Sequence, residues 1–323
     1  MPSEKLKSLI ALRRASPYES SQSIELLRGK GPDAGSVPRP NTKIESCDMD
    51  GVYGEWVVNG TLTNEGVFIF FHGGGYYRSS AEASRRIGSN ISASCGCRCL
   101  TVDYRLAPEN PFPAAVEDAY AAYQWTLKQG FPSLQIVVGG SSAGGGLTAA
   151  LLAKLKMEGE GQPAAAVLLS PWTDLTQSAA TFESNQDSDP SISKIYLDRM
   201  AGLYLNGVDP KDPLASPVFS DLEGLPPILV QVGKPETMFG DAEAFANKAR
   251  QCGVQVDFQA YDDVPHAWHN SDHVVPRTPE VLDAFNKIGH FFTTHVTSQG
   301  SGRSPSADST QTEIEGARRV PAT

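Results

Sequence analysis

The chain has 323 residues, with 27 Lys and Arg against 37 Asp and Glu, a formal net charge of −10. That balance excludes nucleic acid and anionic membrane surfaces as default partners, and no apolar run reaches the roughly 18 residues of a transmembrane helix. With 40% hydrophobic and 20% charged residues, the chain can bury one large globular core.

The first ten residues, Met1 to Ile10, lack the apolar stretch of a secretory signal, so a cytoplasmic protein is expected. Residues 8–14 and 23–28 are weakly helical, and a Pro/Gly-rich joint follows them. They are read as an N-terminal helical cap segment over 1–45. Residues 46–297 alternate strand-like and helix-like stretches, the pattern of a parallel α/β sheet. Within them, about 178–215 breaks the alternation and carries a helix near 195–205, read as a cap insertion. From Ser298 onward the tail is polar without periodicity and is expected to be disordered.

The first strong strand is Val67–Phe71, and His72-Gly73-Gly74-Gly75-Tyr76 follows it at once. Glycines let a backbone approach a bound anion and aim its N–H groups at it. Gly74 and Gly75, with Gly73 as an alternative, are therefore candidate donors to a developing oxyanion. His72 is read as bracing this loop. Next comes Cys95-Gly96-Cys97-Arg98-Cys99, entering the strand around Leu100–Asp103. One residue between cysteines is not a zinc spacing, so these are expected to be core thiols.

The run Ile136-Val137-Val138 leads into Gly140-Ser141-Ser142-Ala143-Gly144, and helix-favouring residues continue to Leu155. Strand, Gly-x-Ser-x-Gly turn and helix together describe a nucleophile elbow, with Ser142 exposed at its tip and the Ala143 N–H completing an anion cradle. A hydroxyl attacks a carbonyl only if a base takes its proton. Of the six histidines, His290 and His295 fall on a C-terminal helical pattern. His266 and His269 follow the strand Val256–Tyr261, and His266 is preferred as base. A metal held by His266, His269 and His273 is not expected, because Pro265 and Asn270 argue against a helical face. The orienting acid should follow the strand Ile228–Val232, where Glu236 and Asp241 are both in reach. Glu236 is preferred, because Asp241 stands just ahead of a helix and reads as its N-cap.

With these pieces the chain resembles the hormone-sensitive-lipase-like esterases, a branch of the α/β-hydrolase family. The shared motifs are His72–Gly75, Asp103-Tyr104-Arg105-Leu106-Ala107-Pro108-Glu109, the serine elbow, Ser170-Pro171-Trp172-Thr173-Asp174-Leu175 and Pro265–His269. The relatives with Glu as acid include bacterial acetylhydrolases and monoterpene lactone hydrolases. The resemblance implies an α/β-hydrolase fold, with a mostly parallel eight-stranded sheet flanked by helices and a helical cap. It also implies cofactor-free hydrolysis of carboxylic esters by Ser142, Glu236 and His266. Two positions depart from the pattern. Ser141 stands where many relatives carry Asp or Thr, and Gly240 replaces an acidic residue, which predicts a looser loop around Glu236.

The expected substrate is a small to medium, largely apolar ester, with a lactone or an acyl-transfer reaction as the alternative. A hormone receptor that resembles this family lacks the base; the presence of all three groups here argues against such a non-catalytic role. Expected substrate-binding side chains are Tyr76, Tyr77, Trp172, Met200, Tyr204, Met238 and Phe239. A homodimer is an open option, and no metal or cofactor is expected.

Overall fold

A computed structural model describes residues 3–15, 22–29, 37–273 and 278–296, with only the backbone of residues 271–273. The strands are β1 (Thr42–Asp48), β2 (Tyr53–Asn59), β3 (Val67–Phe71), β4 (Arg98–Val102), β5 (Ile136–Ser141), β6 (Ala165–Leu169), β7 (Ile228–Gly233) and β8 (Val256–Tyr261). They form one sheet in the order β1-β2-β4-β3-β5-β6-β7-β8. The pairs β1–β2 and β2–β4 are antiparallel, and the remaining pairs are parallel. This is the eight-stranded, mostly parallel sheet that the resemblance implies.

The central strands are apolar on both faces because both faces are covered. Along β3, Val67, Ile69 and Phe71 enter one core with α4 (Ala114–Lys128), α5 (Ala143–Met157) and α8 (Phe239–Gln251), while Phe68 and Phe70 enter a second core. That second core is closed by α3 (Arg85–Cys95) and α9 (Pro279–His295). Period-two alternation thus distributes each strand's side chains between two layers. Cys95, Cys97 and Cys99 lie buried in the second core with unpaired thiols, as core thiols should. Burial raises the Cys95 and Cys99 thiols well above their ordinary value.

Two segments lie outside this layered pattern. One carries α1 (Glu4–Arg14) and α2 (Ile24–Gly29); the other carries α6 (Thr181–Ser184) and α7 (Lys194–Leu205). Helix α7 starts where the Ser193 side chain accepts a hydrogen bond from the Tyr196 N–H at 3.3 Å, an N-cap. The expected boundary at residue 45/46 falls inside β1, so the sheet begins at Thr42. Polar β1 is an antiparallel edge strand with three of its seven residues partly shielded and none buried, so it carries little hydrophobic signal. The tail beyond Ser298 lies outside the described residues. No helix among the described residues is long and apolar enough to cross a membrane.

Candidate active site

Loops following β3, β5, β6, β7 and β8 converge at the C-terminal edge of the sheet, where open α/β sheets place their ligands. Ser142 stands between β5 and α5 with φ 57° and ψ −120°, a conformation costing a non-glycine residue on the order of 1–3 kcal/mol. Its carbonyl accepts the amides of Gly145 (2.9 Å), Gly146 (3.1 Å) and Trp172 (3.1 Å), which starts α5 directly beneath the serine. The flanking glycines are sterically required. A Cβ on Gly140 would collide with the Gly144 carbonyl, and one on Gly144 would strike the carbonyls of Phe71 and His72. The turn is therefore pressed against the end of β3.

Glu236 lies in the loop after β7, fully buried. Its Oε2 is 2.7 Å from His266 Nδ1, and its Oε1 accepts the Gly233 N–H at 2.6 Å and the Ser170 hydroxyl at 2.8 Å. Ser170 in turn accepts the Ala267 N–H at 3.1 Å. One hydroxyl therefore ties the carboxylate to the loop that carries the imidazole. With Nδ1 on Glu236, Nε2 is the free ring nitrogen of His266, which lines the same cavity as Ser142. Arg13 of α1 donates to the His266 carbonyl and, at 3.0 Å, to the Ser191 hydroxyl, so a helix from the chain's start clamps this loop. Burial pulls the Arg13 guanidinium below its ordinary value, while Asp189 and Glu236 oppose that shift.

The alternatives considered for base and acid have other work. His269 is buried, with Nε2 2.9 Å from Gln231 Oε1 and its ring against Trp268; burial lowers it to about 3. Asp241 is not the N-cap of α8, because that helix starts at Phe239, three residues earlier than expected. Its carboxylate reaches out of the first turn to the Thr173 and Asp174 amides (2.8 and 3.2 Å) and the Thr173 hydroxyl. It therefore anchors the loop after β6. Gly240 does not loosen its surroundings. Its N–H donates to Thr181 Oγ1 at 2.9 Å, and a Cβ there would stand 2.7 Å from that oxygen. The missing side chain lets the segment carrying α6 lie directly on α8.

In the loop after β3, His72 Nδ1–H donates to the Gly73 carbonyl at 2.8 Å, and its ring stacks on Tyr104 with centroids 4.1 Å apart. The Tyr104 hydroxyl donates to the His72 carbonyl at 2.7 Å. Burial lowers His72 to about 4, so it is a neutral brace. A Cβ on Gly73 would come within 3.2 Å of Ser142 Cβ, which measures how closely this loop approaches the serine. The amides of Gly73, Gly74, Gly75 and Ala143 donate to no backbone group among the described residues.

A cavity of about 600 Å³ opens over Ser142, His266 and the three glycines. Of the residues expected to line it, only Trp172 borders it, and its side chain is itself fully buried. Tyr76, Tyr77, Met200, Tyr204 and Met238 are buried in the core, and Phe239 packs against it. Tyr76 has φ 62° and turns back to stack on Tyr204, with centroids 3.8 Å apart. Pattern-reading located aromatic and methionine residues near the loops but not the direction in which their chains turn. Cavity walls come instead from Leu9, Leu12 and Arg13 of α1, from Ile192 and Leu197, and from Arg78 and Arg86. Ser170 enters the sequence reading only as the first residue of the Ser170–Leu175 motif, and these wall residues are not among the predicted lining. Only Ser170 carried a local signal, as a small polar residue directly after a buried strand.

Comparison with known proteins identifies the family. Residues 68–270 match a family described as alpha/beta hydrolase fold. An acetyl-hydrolase of Streptomyces hygroscopicus is 42% identical over 220 residues, covering 67% of this chain and 74% of that protein. An esterase of Acinetobacter venetianus is 34% identical over 255 residues, covering 79% and 83%. A crystal structure of an esterase from the bacterial hormone-sensitive lipase family superimposes with a TM-score of 0.84 at 40% identity, covering 92% of this chain and 100% of that one. The chain therefore belongs to the α/β-hydrolase family, in its hormone-sensitive-lipase-like esterase branch.

Proposed function

We propose that this carboxylesterase-like hydrolase cleaves its ester through an acyl-enzyme on Ser142, with His266 as general base and Glu236 as orienting acid. The observation that carries the reading is the buried Glu236–His266 pair at 2.7 Å, whose imidazole lines the same cavity as the strained Ser142. His266 takes the Ser142 proton as the hydroxyl oxygen attacks the ester carbonyl. Glu236 holds the imidazole in the tautomer with its proton on Nδ1 and stabilises the imidazolium that forms. The free amides of Gly73, Gly74, Gly75 and Ala143 supply the oxyanion donors, each worth roughly 10²–10³ in rate. The imidazolium then protonates the leaving alcohol, and water attacks the acyl-enzyme by the same route.

The cavity's volume suits a small to medium ester. The segments carrying α1 and α7 both contribute to its wall, which supports reading them as one cap. Five unpaired thiols fit a reducing, cytoplasmic setting. Ser142→Ala is expected to remove at least about 10³ of kcat/KM on p-nitrophenyl butyrate, since triad members act as a unit. Near-normal turnover by that variant would refute the assignment.

A further inference from the structure

The acidic protein turns a cationic wall toward its own cavity. Arg13, Arg78 and Arg86 line it, and no Asp or Glu among the described residues does, although the chain as a whole carries −10. The three guanidiniums are not equivalent. Arg13 is committed to the His266 carbonyl and to Ser191. Arg85, next along α3, is not in the wall and takes the nearby acids, with Glu55 at 2.7 and 2.8 Å and Glu82 at 3.0 Å. Arg78 and Arg86 are left with no ion pair and no side-chain hydrogen bond among the described residues. Arg78 rests its guanidinium over the Tyr77 ring, 5.5 Å from the centroid. Arg86 has its Nε fully buried with nothing to donate to.

A buried, unpartnered guanidinium nitrogen carries a desolvation cost that an anionic acceptor relieves. Arginine is also the side chain whose planar fork matches a carboxylate. A cleft lined by one sign of charge concentrates ligands of the opposite sign, even on a protein whose net charge would repel them. Leu12 and Ile192 supply apolar surface in the same cavity, backed by the buried Leu9, Ile87 and Leu197. We infer that the cavity is shaped for an ester with an apolar body and one free carboxylate, which Arg78 and Arg86 hold while the ester carbonyl sits at Ser142. The inference rests on the ester-hydrolase reading above and adds the substrate's charge.

The test compares esters matched in size and differing in charge, at low and high salt. One pair puts the anion on the acyl side: the mono-p-nitrophenyl ester of adipic acid against p-nitrophenyl hexanoate. The other puts it on the alcohol side: para-butyryloxyphenylacetate against its amide. At low salt kcat/KM should favour the anionic member of at least one pair by about tenfold, the scale of one charge-assisted hydrogen bond, and salt should shrink that ratio. In the Arg78→Gln, Arg86→Gln double variant the ratio should fall to within about twofold of unity. Ratios near unity in both pairs for the unaltered enzyme overturn the inference, as does a double variant that keeps the preference. Turnover of the neutral hexanoate, abolished by Ser142→Ala, would uphold the ester-hydrolase reading in either case.

Discussion

Ser170 shows how one small side chain couples two loops. It accepts from Ala267 and donates to Glu236, so the proposed acid and the loop of the proposed base share a single hydroxyl bridge. Ser170→Ala leaves the Ala267 amide without its acceptor inside the protein, at a cost of about 1–3 kcal/mol. It also removes one of the bonds that aim the Glu236 carboxylate. Urea unfolding should show the stability loss, and kcat on p-nitrophenyl butyrate should fall by roughly tenfold as the base loses its fixed position. An unchanged denaturation midpoint would show that the bridge contributes nothing. The same residue scale explains the elbow glycines, which are required by neighbouring carbonyls of the chain itself.

Among the elements, α1 has the largest effect on the site for its size. It packs through Leu6 and Leu9 into the core closed by α3 and α9, and it sends Arg13 to the carbonyl of the proposed base. Its N-terminus is fixed to α9, with the Ser3 N–H and hydroxyl each 3.0 Å from a Glu280 carboxylate oxygen. Replacing Arg13 with Gln should leave the sheet intact and loosen the 266–267 loop. The expected result is a fall in kcat of roughly tenfold with a smaller change in KM, because a displaced base slows chemistry more than binding. Equal losses in both constants would instead assign Arg13 to substrate binding.

At the scale of the whole molecule, Asp241 links stability to pH. Burial pushes its carboxyl from 3.8 to about 7, against the opposing pull of its bonds to Thr173 and Asp174. A carboxyl raised on folding holds its proton in the native state, so its contribution is fully present below pH 4. That contribution declines as pH rises through about 7. Asp241→Asn keeps the shape without the titration. Between pH 4 and pH 7 the parent protein should therefore lose Tm relative to this variant, as differential scanning fluorimetry across that range would show. A difference that does not vary with pH would contradict the assigned shift.

Local sequence determined whatever depends on local sterics and periodicity. The glycines around Ser142 were legible because a tight strand-to-helix turn admits no Cβ there. Strands β3, β5 and β7 were legible because a doubly covered strand is largely apolar. Glu236 and His266 could be proposed from sequence because each falls in a loop directly after an apparent strand, where open α/β sheets gather their site groups. Tertiary structure alone decided where side chains turn once the elements pack. Tyr76 and Tyr204 face each other in the core, Asp241 serves another loop, and Gly240 admits α6. Arginines from α1, α3 and the loop after β3 meet in one cavity, although up to 73 residues separate them in sequence. Such convergence is set by long-range packing, and no window of residues records it.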